Sequence, residues 1–319
     1  MSQEAAGQLH EEGTGSVDDP LHDVVVIGGG PAGMAAALWL GRFRRDVVVV
    51  DGGSPRNEAT WAVHGFPGLA DPHPHELRRI LRDQAAAAGA TLLPGEAMEA
   101  SGARDDFRTV LADGSSLRSR RLVLAYGLRD HLPGVAGLAE LYGTSVYHCP
   151  DCDGPATEGE DVGVLGWDRA AANLALYLLH WAASVTLFTN DRGAELGGRE
   201  RGVLTREGVR VLDAPVSRAV GAGGRLVRLE LEDGPGVPLT YLFFHLGSEP
   251  CSQLAEGLGC ATEGDGLQVD RGQETSIPGV HAVGDLTGAP HLASIAAAEG
   301  VRAALACHRS LLPPERMIE

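Results

Sequence analysis

The sequence contains no lysine, and all 26 residues counted as lysine or arginine are arginines. This absence excludes Schiff-base catalysis, with or without pyridoxal phosphate, and a Walker-A phosphate loop, because each of these needs a lysine. Positive charge is scarce as well, since the formal net charge is −17. A chain this acidic lacks the basic surface that nucleic acid or an anionic membrane requires. We therefore expect neither as a partner.

Long hydrophobic runs and a secretory signal are lacking too. The longest apolar stretches fall well short of the roughly 20 residues that cross a bilayer, so no membrane span is predicted. The N-terminus shows no basic segment followed by an apolar one. Residues 1–20 contain five acids and no arginine, which predicts a disordered acidic leader. We expect a cytoplasmic protein, and in that reducing compartment structural disulfides are disfavoured.

What the sequence does contain is a repeated α/β pattern. A length of 319 residues predicts two domains, and a content of 44% hydrophobic but only 5% aromatic residues is typical of an α/β protein. Residues 23–51 are predicted as a strand, a glycine turn, a helix and a second strand that ends in Asp51, which is a βαβ unit. The pattern returns at residues 161–189. One unit nested inside another predicts an outer domain interrupted by an inserted one.

The glycine turn of the first unit has the spacing of a dinucleotide-binding fingerprint. Gly28 permits a tight turn, Gly30 lets the backbone approach a pyrophosphate, and Gly33 allows close packing of helix on strand. The pyrophosphate then lies at the helix N-terminus, where free N–H groups favour an anion. Asp51 is placed to accept a hydrogen bond from a ribose hydroxyl. A glycine turn without a ligand is the alternative, and the fingerprint alone does not separate FAD from NAD.

Two cysteines three residues apart, Cys149 and Cys152, have three interpretations. A zinc half-site needs further ligands at similar spacing, and the remaining cysteines Cys251, Cys260 and Cys307 form no second close pair. A structural disulfide is disfavoured by the expected compartment. The third interpretation is a redox pair that cycles between dithiol and disulfide. We favour this one.

Neighbours of the pair are candidates for proton chemistry. His148, or a helix N-terminus at the pair, is expected to lower the pKa of a thiol. Asp153 is predicted to be a general acid or base for the thiol proton, with a helix-capping aspartate as the alternative. Further along the chain, Gly284 and Asp285 follow a short strand. They predict either a contact to a flavin ribityl hydroxyl or an ordinary turn.

The order of these motifs resembles that of low-molecular-weight thioredoxin reductases. The shared features are the intact fingerprint, Cys-x-x-Cys-Asp-Gly at 149–154, a nested second nucleotide unit, and Thr-Ser-Ile-Pro-Gly-Val-x-Ala-x-Gly-Asp at 275–285. The resemblance covers residues 22–312, and it is nearest to the deeply branching NADPH-independent reductases and the FAD-dependent dithiol oxidases. It implies an α/β homodimer with two Rossmann-like domains of the three-layer ββα type, the second inserted into the first.

By this resemblance, FAD binds a domain formed by residues 21–133 and 249–319, while residues 134–248 form a pyridine-nucleotide-like domain with the cysteine pair. Cys152 then faces the flavin, Cys149 exchanges with the substrate's sulfur, and Asp153 is the acid. The residues implied in FAD binding are Gly28, Gly30, Pro31, Ala32, Gly33, Asp51, Gly52, Asn57, Gly127, Gly284, Asp285, His291, Leu292 and Ala293. At the last three positions the family usually has Arg-Gln-Ala.

The second nucleotide unit departs from the family pattern. Family members have Gly-x-Gly-x-x-Ala there, followed by an arginine pair that holds the 2′-phosphate of NADPH. This chain has Gly166-Trp167-Asp168, which puts bulk and a carboxylate where the second glycine admits a phosphate. The arginine pair is also missing, and Asp191 stands in that region. We expect NADPH to bind poorly, and NADH, with Asp191 on its plain ribose, is the alternative.

The sequence thus predicts a FAD-dependent thiol–disulfide oxidoreductase that works without NADPH. In the reductase direction, a protein donor such as ferredoxin supplies electrons that reach the disulfide of a thioredoxin-like protein. In the oxidase direction, a small dithiol supplies the electrons and oxygen is reduced to hydrogen peroxide. Two alternatives stay open. One is an NAD(P)H-dependent thioredoxin reductase with an atypical nucleotide site, and the other is a FAD-bound redox-sensing protein without catalysis.

Overall fold

The structure is a computed structural model, and it describes residues 20–288 and 290–316. Nearly all of the predicted acidic leader, residues 1–19, lies outside the described residues. The helices are α1 Pro31–Arg42, α2 Pro74–Ala87, α3 Pro150–Asp153, α4 Arg169–Leu178, α5 Gly198–Arg206, α6 Leu254–Gly257 and α7 Ala293–Ser310. The strands are β1 Leu21–Ile27, β2 Val47–Asp51, β3 Thr91–Pro94, β4 Ala97–Ala103, β5 Asp106–Leu111, β6 Ser116–Leu124, β7 Leu128–Asp130, β8 Val146–Tyr147, β9 Asp161–Leu165, β10 Ser184–Phe188, β11 Arg210–Leu212, β12 Val216–Ala222, β13 Arg225–Leu231, β14 Val237–Pro238, β15 Tyr241–Phe244, β16 Ser248–Pro250, β17 Thr262–Glu263, β18 Gly266–Leu267 and β19 Val280–Ala282.

The first sheet is parallel at its centre, in the order β3-β2-β1-β6, with β19 beside the end of β6. Its central strand β1 has Val24, Val25 and Val26 with no exposed surface, as expected for a strand covered on both faces. The first half of β6 pairs instead with the antiparallel hairpin β4–β5. This hairpin extends the same sheet beyond β6 in the order β6-β5-β4.

Two helices cover one face of this sheet. Helix α1 follows β1 directly, and α7, far along the chain, packs against it. The approach is close because Gly300 of α7 has no side chain, and a Cβ there would lie 2.0 Å from the carbonyl oxygen of Ala32. This contact brings the start of α7 near the start of α1. The opposite face is covered by a second apolar cluster that includes Phe107 and Leu254.

The second sheet repeats the plan with residues 146–244. Its five strands are parallel in the order β11-β10-β9-β15-β8, and β12, β13 and β14 form a separate antiparallel sheet. Helix α4 follows β9 as α1 follows β1. The predicted fold class, two Rossmann-like units with the second nested in the first, is confirmed.

The chain passes between the two sheets through β7 on the way out and β16 on the way back, and these short strands pair with each other antiparallel. The predicted domain boundaries, at 133/134 and 248/249, stay a proposal. No helix within the described ranges is both long and apolar enough to cross a membrane.

Candidate active site

One cavity of about 600 Å³ brings together almost every residue predicted to have a function. Elements of both sheets line it, and the cysteine pair lies in the same wall as the glycine turn. The predicted residues in its lining are Gly28, Gly30, Pro31, Ala32, Asp51, Gly52, Asn57, Gly127, His148, Cys149, Cys152, Asp153, Gly284, Asp285, His291, Leu292 and Ala293.

Gly33 is the predicted residue that does not line the cavity, and its role is packing. A Cβ at Gly33 would lie 1.9 Å from the carbonyl oxygen of Gly28, so α1 could not start this close to β1 with any other residue. Gly28 itself has φ +113, and a Cβ there would lie 2.2 Å from the carbonyl oxygen of Ala125. These glycines shape the turn against its neighbours.

The start of helix α1 leaves its backbone donors open to the cavity. Its N-cap is Gly30, which has no side chain to cap the helix, and the first turn contains no acid. A Cβ at Gly30 would meet nothing within 4 Å. The first N–H groups of a helix have no partner within the helix and carry partial positive charge. This end of α1 is therefore suited to hold a pyrophosphate.

Asp51 ends β2 at the cavity wall, and two arginines of α2 hold it. Arg78 and Arg82 donate to the same carboxylate oxygen, Oδ2, at 2.7 and 2.6 Å, and Gly53 donates its N–H to Oδ1 at 3.1 Å. A carboxylate oxygen can accept more than one hydrogen bond, so Oδ1 keeps capacity for a hydroxyl. The arginines fix the orientation of the carboxylate. Neither arginine was predicted from the sequence, because α2 lies beyond a long loop.

The Gly284–Asp285 turn is held from inside the fold by Glu299 of α7. Gly284 has φ +72, which favours glycine, and its N–H donates to Glu299 Oε2 at 2.7 Å. The hydroxyl of Thr287 donates to the same carboxylate at 3.2 Å. Glu299 is buried, and no sequence motif indicated it. Its contacts place the backbone of the turn so that Asp285 lines the cavity.

Cys149 and Cys152 are joined as a disulfide across the start of α3. Cys149 is the N-cap of this short helix, and the N–H of Cys152 donates to its Sγ at 3.1 Å. Both cysteines line the large cavity, and Cys149 also lines a smaller adjoining cleft, which shares Arg56, His148, His291 and Leu292 with the cavity. Cys149 thus lines both the cavity and the cleft, whereas Cys152 lines the cavity but not the cleft.

Asp153 follows the pair and is a buried carboxyl group in the wall of the cavity. Burial raises its pKa to about 6, against a smaller opposite effect from His64. Its side chain caps neither α3, whose N-cap is Cys149, nor the turn of 3₁₀ helix that follows. The capping alternative is therefore not realised. A carboxyl group with this pKa exchanges a proton near neutral pH.

His148, the residue before the pair, is half-buried beside Tyr142 and Asp130. Burial lowers its pKa, although the Asp130 carboxylate acts in the opposite direction. Its Nδ1 lies 2.9 Å from the hydroxyl of Tyr142 and 3.7 Å from the Asp130 carboxylate. The ring is therefore neutral at pH 7, and it can exchange a proton but does not stabilise a thiolate by charge.

Arg56 links these groups to the Gly284–Asp285 turn. It forms a bidentate ion pair with Asp130, donates to Asp285 Oδ2 at 2.8 Å, and donates to Nδ1 of His291 at 2.9 Å. Burial alone would lower the pKa of Arg56, but these acceptors raise it, so it is permanently charged. No sequence pattern indicated this network, because Asp130 and Asp285 lie 74 and 229 residues from Arg56 in the chain.

The start of helix α4, in the second unit, is closed by its own residues. Asp168 is the N-cap, and its Oδ1 accepts a hydrogen bond of 2.8 Å from the N–H of Ala171. Beside it, the guanidinium of Arg192 stacks over the ring of Trp167 at 4.0 Å from its centre, a cation–π contact. Arg192 also donates to Glu195 at 2.6 Å.

The end of β10 is held in the same region by backbone contacts. Asn190 and Asp191 have φ +51 and +62, an unusual conformation for two consecutive residues other than glycine. Asn190 Oδ1 accepts from the N–H of Val216 at 2.8 Å, and the N–H of Asp191 donates to the Asp213 carbonyl at 2.7 Å. This loop is thus tied to the neighbouring strands.

Comparisons with known proteins agree with this geometry. The family model described as pyridine nucleotide-disulphide oxidoreductase matches residues 22–300. The thioredoxin reductase tcpT of Claviceps purpurea is 31% identical over 275 residues, which is 82% of this chain and 86% of that protein. The crystal structure of HlmI is 36% identical and covers 93% of this chain and 95% of its own, with a TM-score of 0.87. The atypical thioredoxin reductase TRi from Desulfovibrio vulgaris Hildenborough is 30% identical over 92% of this chain and 99% of its own, with a TM-score of 0.50.

A flavin-dependent disulfide oxidoreductase is the class of enzyme that this fold, the cysteine pair and these relatives define. The chain belongs to the pyridine nucleotide-disulphide oxidoreductase family, and within it to the thioredoxin reductase-like proteins. The family implies FAD, and the cavity fits this cofactor. The open start of α1, the vacant space at Gly30 and the fixed carboxylates of Asp51 and Asp285 match a pyrophosphate and the hydroxyls beside it.

Proposed function

We propose that this enzyme exchanges two electrons between FAD and a substrate disulfide or dithiol through Cys149 and Cys152, and that it does so without NADPH. The observation that carries the second part is the closed start of α4, where the Asp168 carboxylate accepts from the N–H of Ala171 and brings a negative charge to the place that a pyrophosphate needs. The first part is supported by the cavity, which holds the cysteine pair together with the open start of α1.

The residues divide into those that hold the cofactor and those that exchange electrons and protons. The start of α1 from Gly28 to Gly33 holds the pyrophosphate, and Asp51 holds the ribose. Gly127, Asp285 and the stretch 291–293 close the other end, with Gly52 and Asn57 along the wall. When bound, FAD supplies a two-electron redox partner for the pair.

The two sulfurs have different roles because they face different spaces. Cys149 exchanges with the substrate's sulfur, since it is the one that reaches the smaller cleft, and Cys152 faces the cofactor. Asp153 exchanges the thiol proton, as its raised pKa and its position in the wall allow. His148 assists as a neutral proton carrier oriented by Tyr142 and Asp130.

NADPH is a poor fit for the second unit for two reasons. A pyrophosphate at the start of α4 would have to displace the Asp168 carboxylate and would meet its negative charge. Each charge-assisted hydrogen bond lost in this way costs about 1.5–3 kcal/mol. Two arginines lie at the turn: Arg192 stacks on Trp167 and pairs with Glu195, and the exposed Arg169 pairs with Glu200. NADH is disfavoured by the same cap.

The physiological partners follow from the thiol chemistry. The relatives are named thioredoxin reductases, so a thioredoxin-type protein is one candidate substrate, and a small dithiol is the other. In the reductase direction, a protein donor such as ferredoxin replaces NADPH. In the oxidase direction, oxygen is the final acceptor. We further propose a homodimer in the cytoplasm.

Anaerobic mixing of the purified flavoprotein with nucleotide tests the proposal. Excess NADPH or NADH is expected to leave the oxidised flavin spectrum unchanged over seconds, whereas dithionite bleaches it. Rapid bleaching by either nucleotide would show that the closed α4 start does not block the donor. The same stock must be yellow, because a colourless protein would contradict the FAD assignment.

A Cys149→Ser variant separates an enzyme from a redox-sensing protein. We expect the variant to keep its FAD and to lose turnover with every thiol substrate, because no sulfur then reaches the cleft. Cys307→Ser, at a buried cysteine outside the cavity, is the matched control and should keep both. Full turnover in Cys149→Ser would overturn the role of the pair.

A further inference from the structure

The smaller cleft at Cys149 is distinct from the cavity proposed for FAD. It has a volume of about 200 Å³ and lies against Cys149 and not Cys152. Its lining includes Phe244, which ends β15, Leu246, two residues further on, and Leu292, the N-cap of α7, which belongs to the proposed FAD-binding domain. The cleft therefore lies between the domains, directly at the sulfur that exchanges with substrate.

The charges around this cleft are unequal. Arg56 is the only arginine in its lining within the described part of the chain, and its guanidinium is already bound by Asp130 and Asp285. The lining also includes Asp151, whose carboxylate is exposed and accepts only from the Tyr177 hydroxyl, at 2.8 Å. No cation is left to pair with an anionic ligand, whereas a carboxylate is available to repel one.

The histidines of the lining do not reverse this balance. Burial lowers the pKa of His148 and of His291, so both rings are neutral at pH 7. Arg56 donates to Nδ1 of His291, which keeps this nitrogen an acceptor. His245 is exposed at the rim of the cleft and has no charged partner among the described residues.

We infer that this cleft is the substrate site, and that it takes a small dithiol or disulfide that is uncharged or cationic while excluding one that carries carboxylates. The inference rests on the proposed function, because it requires Cys149 to be the exchanging sulfur. It adds the class of substrate. A small molecule enters a cleft of this size between two domains, and anionic thiols such as glutathione are disfavoured by Asp151 and Asp130.

The exchange step balances within the cleft. A thiolate of the dithiol attacks Cys149 Sγ, the Cys149–Cys152 bond breaks, and Cys152 leaves as a thiolate. The second thiol of the substrate loses its proton to solvent or to His148 and attacks the substrate's first sulfur. This breaks the mixed disulfide and releases Cys149 as a thiolate. The substrate leaves oxidised to its disulfide, and the pair has gained the two electrons.

Three disulfides of similar size and different charge test the selectivity. In a Cys152→Ser variant, Cys149 is a free thiol that forms a stable mixed disulfide, whose rate of formation is read by mass spectrometry of the peptide that contains it. The probes are 2-hydroxyethyl disulfide (neutral), cystamine (dication) and 3,3′-dithiodipropionate (dianion). The rate of each probe with Cys149 is divided by the rate at which the same probe reacts with a free neutral thiol in solution. We expect the dianion to be about tenfold slower than the neutral probe, and cystamine to be at least as fast.

Substitutions at two residues of the cleft, Asp151 and His245, show whether the cleft itself causes the difference in rate between the probes. Asp151→Asn, made on the Cys152→Ser background, should raise the rate of the dianion about threefold relative to that of the neutral probe, because one nearby charge is removed. The whole-protein charge of −17 is hardly altered, so an equal effect on every probe would speak against a local site. High salt should reduce the difference in rate between the dianion and the neutral probe.

A bulky residue at the rim tests the site by shape. His245→Trp fills the entrance and should slow all three probes about tenfold. His131→Trp is the matched control, since His131 is also exposed near the domain junction but does not line the cleft, and it should leave the rates unchanged. Unaltered rates in His245→Trp would place the substrate elsewhere.

The outcomes separate this inference from the proposed function. Equal normalised rates for the three probes would overturn the selectivity and leave the exchange at Cys149 intact. A Cys149 that reacts with a thioredoxin disulfide and with none of the small probes would overturn the small-molecule site alone. A Cys149 that reacts with no disulfide, although iodoacetamide alkylates it, would overturn the proposed function.

Discussion

The two βαβ units of this chain share a backbone and differ in what occupies the start of their helix. Both begin with a buried parallel strand, and both helix N-caps are extended, with φ, ψ of −74°, −177° at Gly30 and −111°, −177° at Asp168. In the first unit the N-cap has no side chain and the donors face a cavity. In the second the N-cap is an aspartate that accepts from the helix.

The difference between the two units shows that a free N–H at a helix start binds either a ligand or a side chain of the protein, but not both. In the first unit these N–H groups stay open for the phosphate of the proposed cofactor, and in the second the Asp168 carboxylate accepts from the N–H of Ala171. An aspartate N-cap stabilises a helix by about 1 kcal/mol. The second unit has therefore gained local stability at the position where a nucleotide would bind, and its sheet remains as the frame that holds the cysteine pair.

The largest effect is expected when the cap of the second unit is copied into the first. Gly30→Asp should keep the helix, because the N-cap geometry is the same, and should weaken FAD binding about a thousandfold, since the carboxylate competes with the pyrophosphate. The ratio of flavin to protein absorbance measures this. Gly30→Ala adds bulk without charge and should lose less. An aspartate variant that stays fully yellow would refute the assignment of the α1 start.

The second prediction concerns the buried acid in the inserted domain. Asp153 has a pKa of about 6 in the folded protein, above its ordinary value of 3.8. Such a group stabilises the fold fully below the unfolded pKa, and this contribution is lost as the pH rises through 6. Relative to Asp153→Asn, the wild type should therefore lose up to about 3 kcal/mol of unfolding free energy between pH 4 and pH 6.

The measurement is urea unfolding of the two proteins across this pH range. Asp233→Asn, at an exposed acid in the loop between β13 and β14, serves as the control and should run parallel to the wild type. Turnover of Asp153→Asn should fall about a hundredfold and lose its inflection near pH 6. An unchanged inflection would assign the proton step to another group.

The third prediction reverses the first. Trp167→Gly combined with Asp168→Gly opens the start of α4 and frees its donors, so NADH binding should tighten about tenfold over the wild type. Isothermal titration of the two proteins measures it. Trp167→Gly alone keeps the cap and should show no gain. If Trp167→Gly alone tightens NADH binding as much as the double variant does, the bulk of Trp167 and not the Asp168 carboxylate closes the site.

The smallest effect is expected on stability, when Asp168, the N-cap of α4, is substituted alone. Asp168→Ala should cost about 1 kcal/mol of stability, and Asp168→Gly only a few tenths, because glycine leaves the donors open to water. Thermal unfolding of the apoproteins gives the ranking. A cost near zero for alanine would mean that the hydrogen bond to Ala171 contributes little, and the comparison of the two units would then rest on charge alone.

Much of the site was predictable because its residues are local in sequence. Gly28, Gly30 and Gly33 lie within one turn, and their spacing follows from the geometry of a strand that leads into a helix. The cysteine pair is equally local. Arg56, Tyr142 and Glu299 were missed for the opposite reason. Each acts on a partner from another element, and no spacing within one segment records that contact.

The charge of His148 shows a different limit. Its place beside Cys149 predicted an effect on the pKa of a thiol, and in the structure burial lowers the pKa of the ring itself. Burial depends on Tyr142, Phe244 and the other residues that fold around it, and these come from separate strands. The sequence identified the residue, while the surrounding packing decided its protonation.

The sequence by itself determined the two nested βαβ units, the fingerprint, the thiol pair and the loss of the second glycine, because each is a short pattern set by backbone geometry or covalent order. Only the tertiary structure decided how these parts meet. It turned the Asp168 carboxylate onto its own helix, stacked Arg192 on Trp167, and placed Cys149 between a cofactor cavity and a cleft with one neutralised arginine. Such contacts join residues far apart in the chain, and their energies exist only once the domains are folded.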